Sequence, residues 1–303
     1  MTAPHPAAAL SVDVEDWFHV ENLKGVIARD SWDRREVRVE RNVDRMLDLM
    51  SKRGVHGTWF VLGWVAERVP GLVRRIAAAG HEIGSHGFGH ELVGRLSPPE
   101  FRADVERSKK LLEDIVGAEV TGYRAPCFSI TDWAIDVLRD IGHAYDSSAF
   151  PTVVEGRHGK LEGVRAGEPI FELRPGFHEV CVSTLDLGGY GLPWGGGGYF
   201  RLLPYGLFRA GIRKILADGR PYVFYIHPWE FDPDQPRVSG LRRSYAFRHY
   251  LNLDRVEARF AALLSDVRWT TIRSLLESWN RSRIRGAAHE IAEPVPVPAD
   301  LRP

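Results

Sequence analysis

The stretch AGHEIGSHGFGH, residues 79 to 90, passes from a helix stop at Gly80 through a short strand into a histidine pair, His86 and His90. Two histidines at this spacing reach the same side of one helical turn, or fold together in a tight loop. In either case their ring nitrogens converge on one point. The residues around them are small: Gly84 and Ser85 before, Gly87 and Gly89 between. Such a backbone leaves room near a ligand and does not suit a packed core helix. A polar, glycine-rich surface turn is the competing reading of these residues alone.

Working outward, the same order of helix, strand and polar residue recurs. Residues 8–14 (AALSVDV) read as a strand that ends in acids, and 57–62 (GTWFVL) as a buried strand. Val43, Met46, Leu47 and Met50 keep helical spacing, and Gly54 stops that helix. Ser97, Pro98 and Glu100 form a helix start, with the helix running to Val116 before Gly117. A strand over 120–123 leads into Arg124, a helix follows to Ile141, and another strand begins at Ala144. Alternation of this kind predicts a parallel sheet with polar residues at its strand C-terminal ends.

Beyond residue 150 the pattern changes. Residues 170–173 and 179–185 alternate as antiparallel strands, and Gly188–Gly198 reads as a glycine-rich loop with aromatic neighbours. Neither GK[ST] nor GxGxxG accompanies its glycines, which argues against a nucleotide site. A helix over 205–217 and a strand over 222–226 follow, the strand ending at His227. Residues 232–248 read as a polar loop, and two further helices cover 254–264 and 271–279. The expected organisation is one domain over 1–280, in which 150–280 carries insertions and C-terminal helices, and a Pro-rich tail over 281–303.

Totals bound the function. The 40 basic and 40 acidic residues cancel, so no nucleic-acid partner is implied. Two cysteines make no disulfide framework, and neither a signal peptide nor a transmembrane run is read, so a cytoplasmic location is expected.

Four polar clusters fall at strand ends: Asp13-Val14-Glu15-Asp16, His86 with His90, Arg124-Ala125-Pro126, and His227. One carboxylate and two histidines form a facial metal set with positions open for water and substrate. A second carboxylate can take the proton of water, and a histidine opposite can protonate a leaving group. An arginine keeps the base carboxylate ionised. Together these parts suit metal-assisted hydrolysis of an amide or ester.

In this order DVED, SHGFGH, YRAP and YIHP resemble the motifs of NodB-type polysaccharide deacetylases, carbohydrate esterase family four. HGTWFVLG and GHEIGSH support the resemblance, which runs from about Leu10 to about Pro228. GGGGYFRLLPY and HPWEFDPDQPR look like the branch found near bacterial exopolysaccharide and exosortase loci. The resemblance implies an α/β fold: a distorted (β/α) barrel of about seven strands, here with a C-terminal α+β extension. It also implies a hydrolase that removes N-acetyl groups from N-acetylhexosamine units of an exopolysaccharide or its precursor.

Carried over by residue, Asp13 is the general base, His227 the general acid, and Arg124 the residue that orients Asp13. His86, His90 and a carboxylate hold a divalent metal, with zinc expected. Asp16 is the expected carboxylate and Glu15 its rival, since Glu15 lies on the same strand face as Asp13. The peptide N–H of Cys127 is the expected oxyanion donor, Trp229 lines the substrate site, and Asp146 is a candidate for tuning His227. Trp17 and Trp194 are candidates for stacking on sugar faces. Alternatives are an allantoinase-like hydrolase of small cyclic amides and a non-catalytic saccharide-binding protein of the same fold.

Overall fold

The computed structural model describes residues 8–292, apart from 152–158, 160, 166–167 and 189. Its strands are β1 (Ala8–Val14), β2 (Thr58–Val61), β3 (Glu82–Ser85), β4 (Gly122–Tyr123), β5 (Tyr145–Asp146), β6 (Ile170–Arg174), β7 (Phe177–Val180), β8 (Thr184–Leu187), β9 (Tyr190–Pro193), β10 (Tyr222–Ile226) and β11 (Trp269–Thr270). The helices are α1 (Val39–Ser51), α2 (Gly63–Arg68), α3 (Pro70–Ala78), α4 (Pro98–Val116), α5 (Asp132–Asp140), α6 (Gly197–Leu202), α7 (Tyr205–Ala217), α8 (Arg243–Tyr250), α9 (Val256–Asp266) and α10 (Ile272–Ala292).

The main sheet runs β10-β1-β2-β3-β4-β5-β7-β6, with β11 beside the start of β1. From β10 to β7 every pairing is parallel; only the edge hairpin β6–β7 is antiparallel. The sheet curls so that the chain after β7 reaches β10: the Ser183 amide donates to the Val223 carbonyl at 3.2 Å, and the Val223 amide to Ser183 Oγ at 2.8 Å. This is the distorted α/β barrel expected from the motifs, with seven parallel strands from β10 to β7 and β11 as an eighth beside β1.

β1 is buried on both faces, as parallel strands covered by helices are. Its even residues, Ala8, Leu10, Val12 and Val14, join the core shared with α1, α3, α7 and α9. The opposite face points into the curl. There Ala9 packs with Phe60, Tyr145, Val180 and Val223, and α10 closes the bottom with Ile272, Leu275 and Leu276. The start of α10 is pinned by its amides: Ile272 N–H bonds Thr58 Oγ1 at 2.8 Å and Arg273 N–H bonds Glu82 Oε2 at 3.1 Å. A carboxylate at a helix N-terminus is favourably placed. Above this apolar floor the inward residues of β1 become Ser11 and Asp13, and the polar site begins.

Local signals in the sequence explain several boundaries. Ser97 and Glu100 form the reciprocal cap of α4, and Gly117 ends it with φ of 68°. Three expectations need correction. The polar stretch 232–248 contains α8 from Arg243, because His249 on that helix is buried and bonds Gln235 Oε1 at 2.7 Å. The glycines near 195 do not form a free loop. A Cβ on Gly195 would meet the Val223 carbonyl at 2.4 Å, so the backbone needs glycine to lie against β10, and α6 starts two residues on. Finally, α10 continues through 281–292, where a tail was expected; 293–303 lie outside the described residues.

Candidate active site

The C-terminal ends of β1, β3, β4 and β10 bring the four polar clusters of the sequence together. Asp13 is the penultimate residue of β1, and Glu15, two residues on, lies on the same side. One Glu15 oxygen is 3.2 Å from His90 Nε2, and the other is 3.6 Å from His86 Nε2. All three side chains are buried, and their ligand atoms lie within 4.8 Å of one another.

His86 and His90 sit in a tight loop after β3, not on a helix. Asp104 of α4 holds this loop by accepting from the amides of Phe88 at 2.7 Å and Gly89 at 2.9 Å. Gly87 has φ of 68°, and a Cβ there would meet Asp104 Oδ2 at 2.8 Å. His90 itself is left-handed, with φ of 55°, a conformation costly for a side chain bearing a Cβ. The loop therefore spends backbone energy to turn the second imidazole toward the first.

The donors fit a metal. His86 Nδ1–H donates to the Arg124 carbonyl at 2.8 Å, which leaves a lone pair on Nε2 facing Glu15. Among the described residues neither His86 Nε2 nor either nitrogen of His90 has a hydrogen-bond partner, although all are buried. Buried polar atoms without partners call for an explanation. Two imidazole nitrogens and one carboxylate oxygen on one side of a cavity suit a zinc-like ion with open positions. Burial alone would raise the Glu15 pKa, but the charge of His90 and the contacts with His227 and His86 hold it well below the usual carboxylate range. This carboxylate is ready as an anion.

Asp16, the expected ligand, is not part of this group. Its Oδ1 accepts from the Trp17 amide at 2.8 Å, and its Oδ2 from the amides of Arg38 at 2.6 Å and Val39 at 2.9 Å. It caps the turn after β1 and ties it to the start of α1, while Glu15 supplies the carboxylate to the histidines.

On the other side of the cluster, Arg124 is completely buried and donates to Asp13 Oδ1 at 2.8 Å. It also donates to Ser11 Oγ at 2.7 Å and to the carbonyl and hydroxyl of Ser147, each at 2.8 Å. These bonds fix its plane, and Asp13 keeps its second oxygen toward His227, whose Nε2 is 3.9 Å away. His227 Nδ1 pairs with Glu230 Oε1 at 2.9 Å, and Glu230 Oε2 accepts from Arg201 Nε at 2.6 Å. Burial opposes charge on His227, but the hydrogen bond and charge of Glu15, and then those of Glu230, raise its pKa to about 10. It is therefore poised as a cationic acid.

Asp13, Glu15, His90 and His227 open onto a cavity of about 730 Å³. Cys127 and Trp229, both expected near substrate, line it. Cys127 lies in the turn Pro126–Phe128 with φ of 54°, so the chain after Arg124 bends sharply at this point. Trp229 stacks between His227 and His249, with ring centres 5.3 and 4.6 Å away.

Other expectations fail for clear reasons. Trp17 and Trp194 are core residues whose indole N–H groups bond the carbonyls of Glu36 and Phe208. Asp146 does not tune His227. It is buried beside Glu179, its register partner on β7, and accepts from Ser148 Oγ at 2.6 Å. Burial, the Asp146 charge and the hydrogen bond with Asp146 push the Glu179 pKa well up, so the pair retains a proton. The partner of His227 is Glu230, three residues further along the chain. Arg201, Ser147 and Asp104 carried no sequence signal that marked them for these roles.

Known proteins resemble this chain in sequence and in fold. A family model described as polysaccharide deacetylase matches residues 30–145, and a second, described as a domain of unknown function (DUF3473), matches 147–277. Residues 30–145 are thus similar to the polysaccharide deacetylase domain of the NodB, or carbohydrate esterase four, class. It is 31% identical over 109 residues to the peptidoglycan deacetylase of Helicobacter pylori, which covers 36% of this chain and 37% of that protein. With the peptidoglycan-N-acetylglucosamine deacetylase of Bacillus cereus it shares 27% identity over 145 residues, 39% of this chain and 53% of that protein. The chain thus spans about a third to a half of the length of these curated relatives. The crystal structure of a proposed polysaccharide deacetylase from Mycobacterium smegmatis superposes with a TM-score of 0.59 at 24% identity, covering 93% of both chains, which supports the fold. Among the described residues, no helix is long and apolar enough to cross a membrane.

Proposed function

We propose that this protein is a metal-dependent N-deacetylase that removes acetyl groups from N-acetylhexosamine units of a bacterial exopolysaccharide or its precursor, acting in the cytoplasm before export. One observation carries the reading: the buried group Glu15, His86 and His90 adjoins both the Asp13–Arg124 pair and the His227–Glu230 pair, with His227 Nε2 3.4 Å from Glu15 and 3.9 Å from Asp13, beside one cavity. A saccharide binder has no use for a base, an acid and a set of metal-ligating side chains in such proximity.

Glu15, His86 and His90 would hold the ion, zinc in our proposal, which would activate water and polarise the acetyl carbonyl. Asp13 accepts the water proton on the oxygen that Arg124 leaves free; its other oxygen is held so that the base cannot rotate away. The peptide N–H of Cys127 donates to the oxyanion of the tetrahedral intermediate. His227, its Nδ1 fixed by Glu230, delivers a proton from Nε2 to the departing amine. Trp229 keeps this ring from tilting.

The test is acetate release from a defined N-acetylated oligosaccharide by purified protein, before and after chelation and with added zinc. Activity that needs the metal and disappears in Asp13→Asn and His227→Ala supports the reading. Undiminished acetate release after exhaustive chelation would refute the metal-dependent mechanism, and saccharide binding without turnover would favour the non-catalytic alternative. Hydrolysis of cyclic amides with no acetate from sugars would favour the allantoinase-like one.

A further inference from the structure

The inner end of the cavity is polar, but its mouth is not. Phe247 and Leu202, two of the three most exposed large apolar side chains among the described residues, both line it, at 59% and 49% exposure. A third exposed apolar residue, Val26, lies 3.5 Å from the position a Cβ on Gly240 would take, at the approach to α8. Arg248 lines the same mouth, and Arg242 and Arg243 are exposed at the start of the helix. The guanidinium groups of these three have no hydrogen bond or ion pair with the described residues. By contrast Arg29, Arg38, Arg41 and Arg45, on the segment between β1 and α1 and on α1 itself, each pair with a carboxylate.

Apolar side chains exposed together at a site opening mark contact with an apolar partner. Unpaired arginines beside them select an anion, above all a phosphate that accepts a planar fork of donors. A neutral glycan emerging here would leave the arginines without an anion, and stacking on sugar could employ Phe247 but not Leu202. We propose that the substrate is an amphiphile: an N-acetylated sugar joined through a phosphate or diphosphate to a hydrocarbon chain. The sugar enters the cavity, the anionic link lies against Arg248 and its neighbours on α8, and the first part of the chain rests on Phe247 and Leu202. This rests on the deacetylase reading and narrows its substrate class.

Three synthetic substrates with the same N-acetylated disaccharide separate the contributions: a free reducing end, a 1-phosphate, and a diphosphate bearing a short polyprenyl chain, each assayed below its aggregation concentration. The expected order of kcat/KM for acetate release is lipid diphosphate over phosphate over free sugar, with about tenfold or more between the extremes. In Phe247→Ser/Leu202→Ser the advantage of the lipid over the phosphate should fall toward one, and in Arg248→Ser the advantage of the phosphate over the free sugar should fall. Equal kcat/KM for all three substrates on the wild-type protein overturns the amphiphile while leaving the deacetylase intact. A phosphate advantage with no gain from the chain overturns the apolar part, and a lipid advantage untouched by these variants overturns the assigned residues. No acetate from any of the three overturns both readings.

Discussion

Gly197→Ala tests the site through a residue that touches none of the reacting atoms in the proposed mechanism. A Cβ on Gly197 would lie 2.2 Å from Glu230 Oε1 and 2.4 Å from Oε2, where real Cβ atoms keep at least 3.0 Å. Glu230 must move, and the direction is set by what holds it. On one side Arg201 bonds its Oε2 at 2.6 Å, and Arg201 is itself locked by the carbonyls of Arg248, His249 and Leu251 at 2.8 to 3.0 Å. On the other, Oε1 accepts from the His227 amide at 3.1 Å and meets the ring at Nδ1 at 2.9 Å; the ring, free to turn about its side-chain bonds, should give first. A shift of most of an ångström takes that contact out of hydrogen-bond range. A lost charge-assisted hydrogen bond is worth about 1.5–3 kcal/mol. If the whole of it is felt when His227 releases its proton, kcat falls by about 10- to 150-fold. Gly198→Ala is the control, since a Cβ there meets nothing within 4 Å, and its kcat should stay within about twofold. The assay is steady-state acetate release at saturating substrate, with thermal unfolding alongside. A Gly197→Ala protein that is folded and has wild-type kcat would refute the claim that Glu230 holds the acid.

Three other outcomes follow from the geometry. Zinc titration of metal-free protein by calorimetry should show Glu15→Gln weakened by at least about 10- to 100-fold, whereas Asp16→Ala binds as wild type but loses about 1–3 kcal/mol in urea unfolding, because three backbone amides lose their acceptor. The reverse pattern would restore Asp16 as the ligand. Arg124→Met should cost about 3–5 kcal/mol in the same unfolding experiment, since it leaves the carboxylate of Asp13 buried without its partner; a loss under 1 kcal/mol would contradict that. Acid should unfold the protein steeply. Burial lowers the pKa of His81 to about 4 and of His143 and His249 to about 3, while in the unfolded chain these rings titrate near their ordinary value of 6.5. Their folded values are depressed, so the stability they confer is present above pH 6.5 and drains as pH falls toward the folded values. Three such rings give a slope of about 4 kcal/mol per pH unit below pH 6, read from urea midpoints; a flat profile between pH 7 and 5 would exclude it.

Much of this architecture was legible because the physical signals were local. β10 and α7 were read at their observed ends, since an unbroken apolar run and a regular helical spacing leave little choice. The candidate site was legible for a related reason. A parallel strand presents its C-terminal end to one rim of the sheet, so polar residues that follow buried runs must meet there, as Asp13, His86, Arg124 and His227 do. Arg201 and Asp104 were not legible, because each acts across the fold. Arg201 sits 29 positions before Glu230, and Asp104 reaches back 15 and 16 positions to the histidine loop. Nothing in a helix face distinguishes such a residue from a solvated charge. The run of glycines misled for the opposite reason: freedom of the backbone and closeness of a neighbour call for the same residue.

The DVED motif joins the two cases. Strand alternation puts Asp13 and Glu15 on one side, which favours Glu15 as ligand; the chain, however, leaves the sheet after Val14, and alternation no longer binds residues beyond it. What decides is the competition for Asp16. Three amides, from Trp17, Arg38 and Val39, arrive at the ends of short elements with no other buried acceptor in these hydrogen bonds, and a short carboxylate beside the turn satisfies them all. Once Asp16 is committed to holding the turn, the longer side chain of Glu15 is the one left to reach the histidines. The spacing of Asp13 and Glu15 in this chain is therefore tied to the cap: one acid is held by Arg124, one faces the two histidines, and a third fixes the turn that carries both.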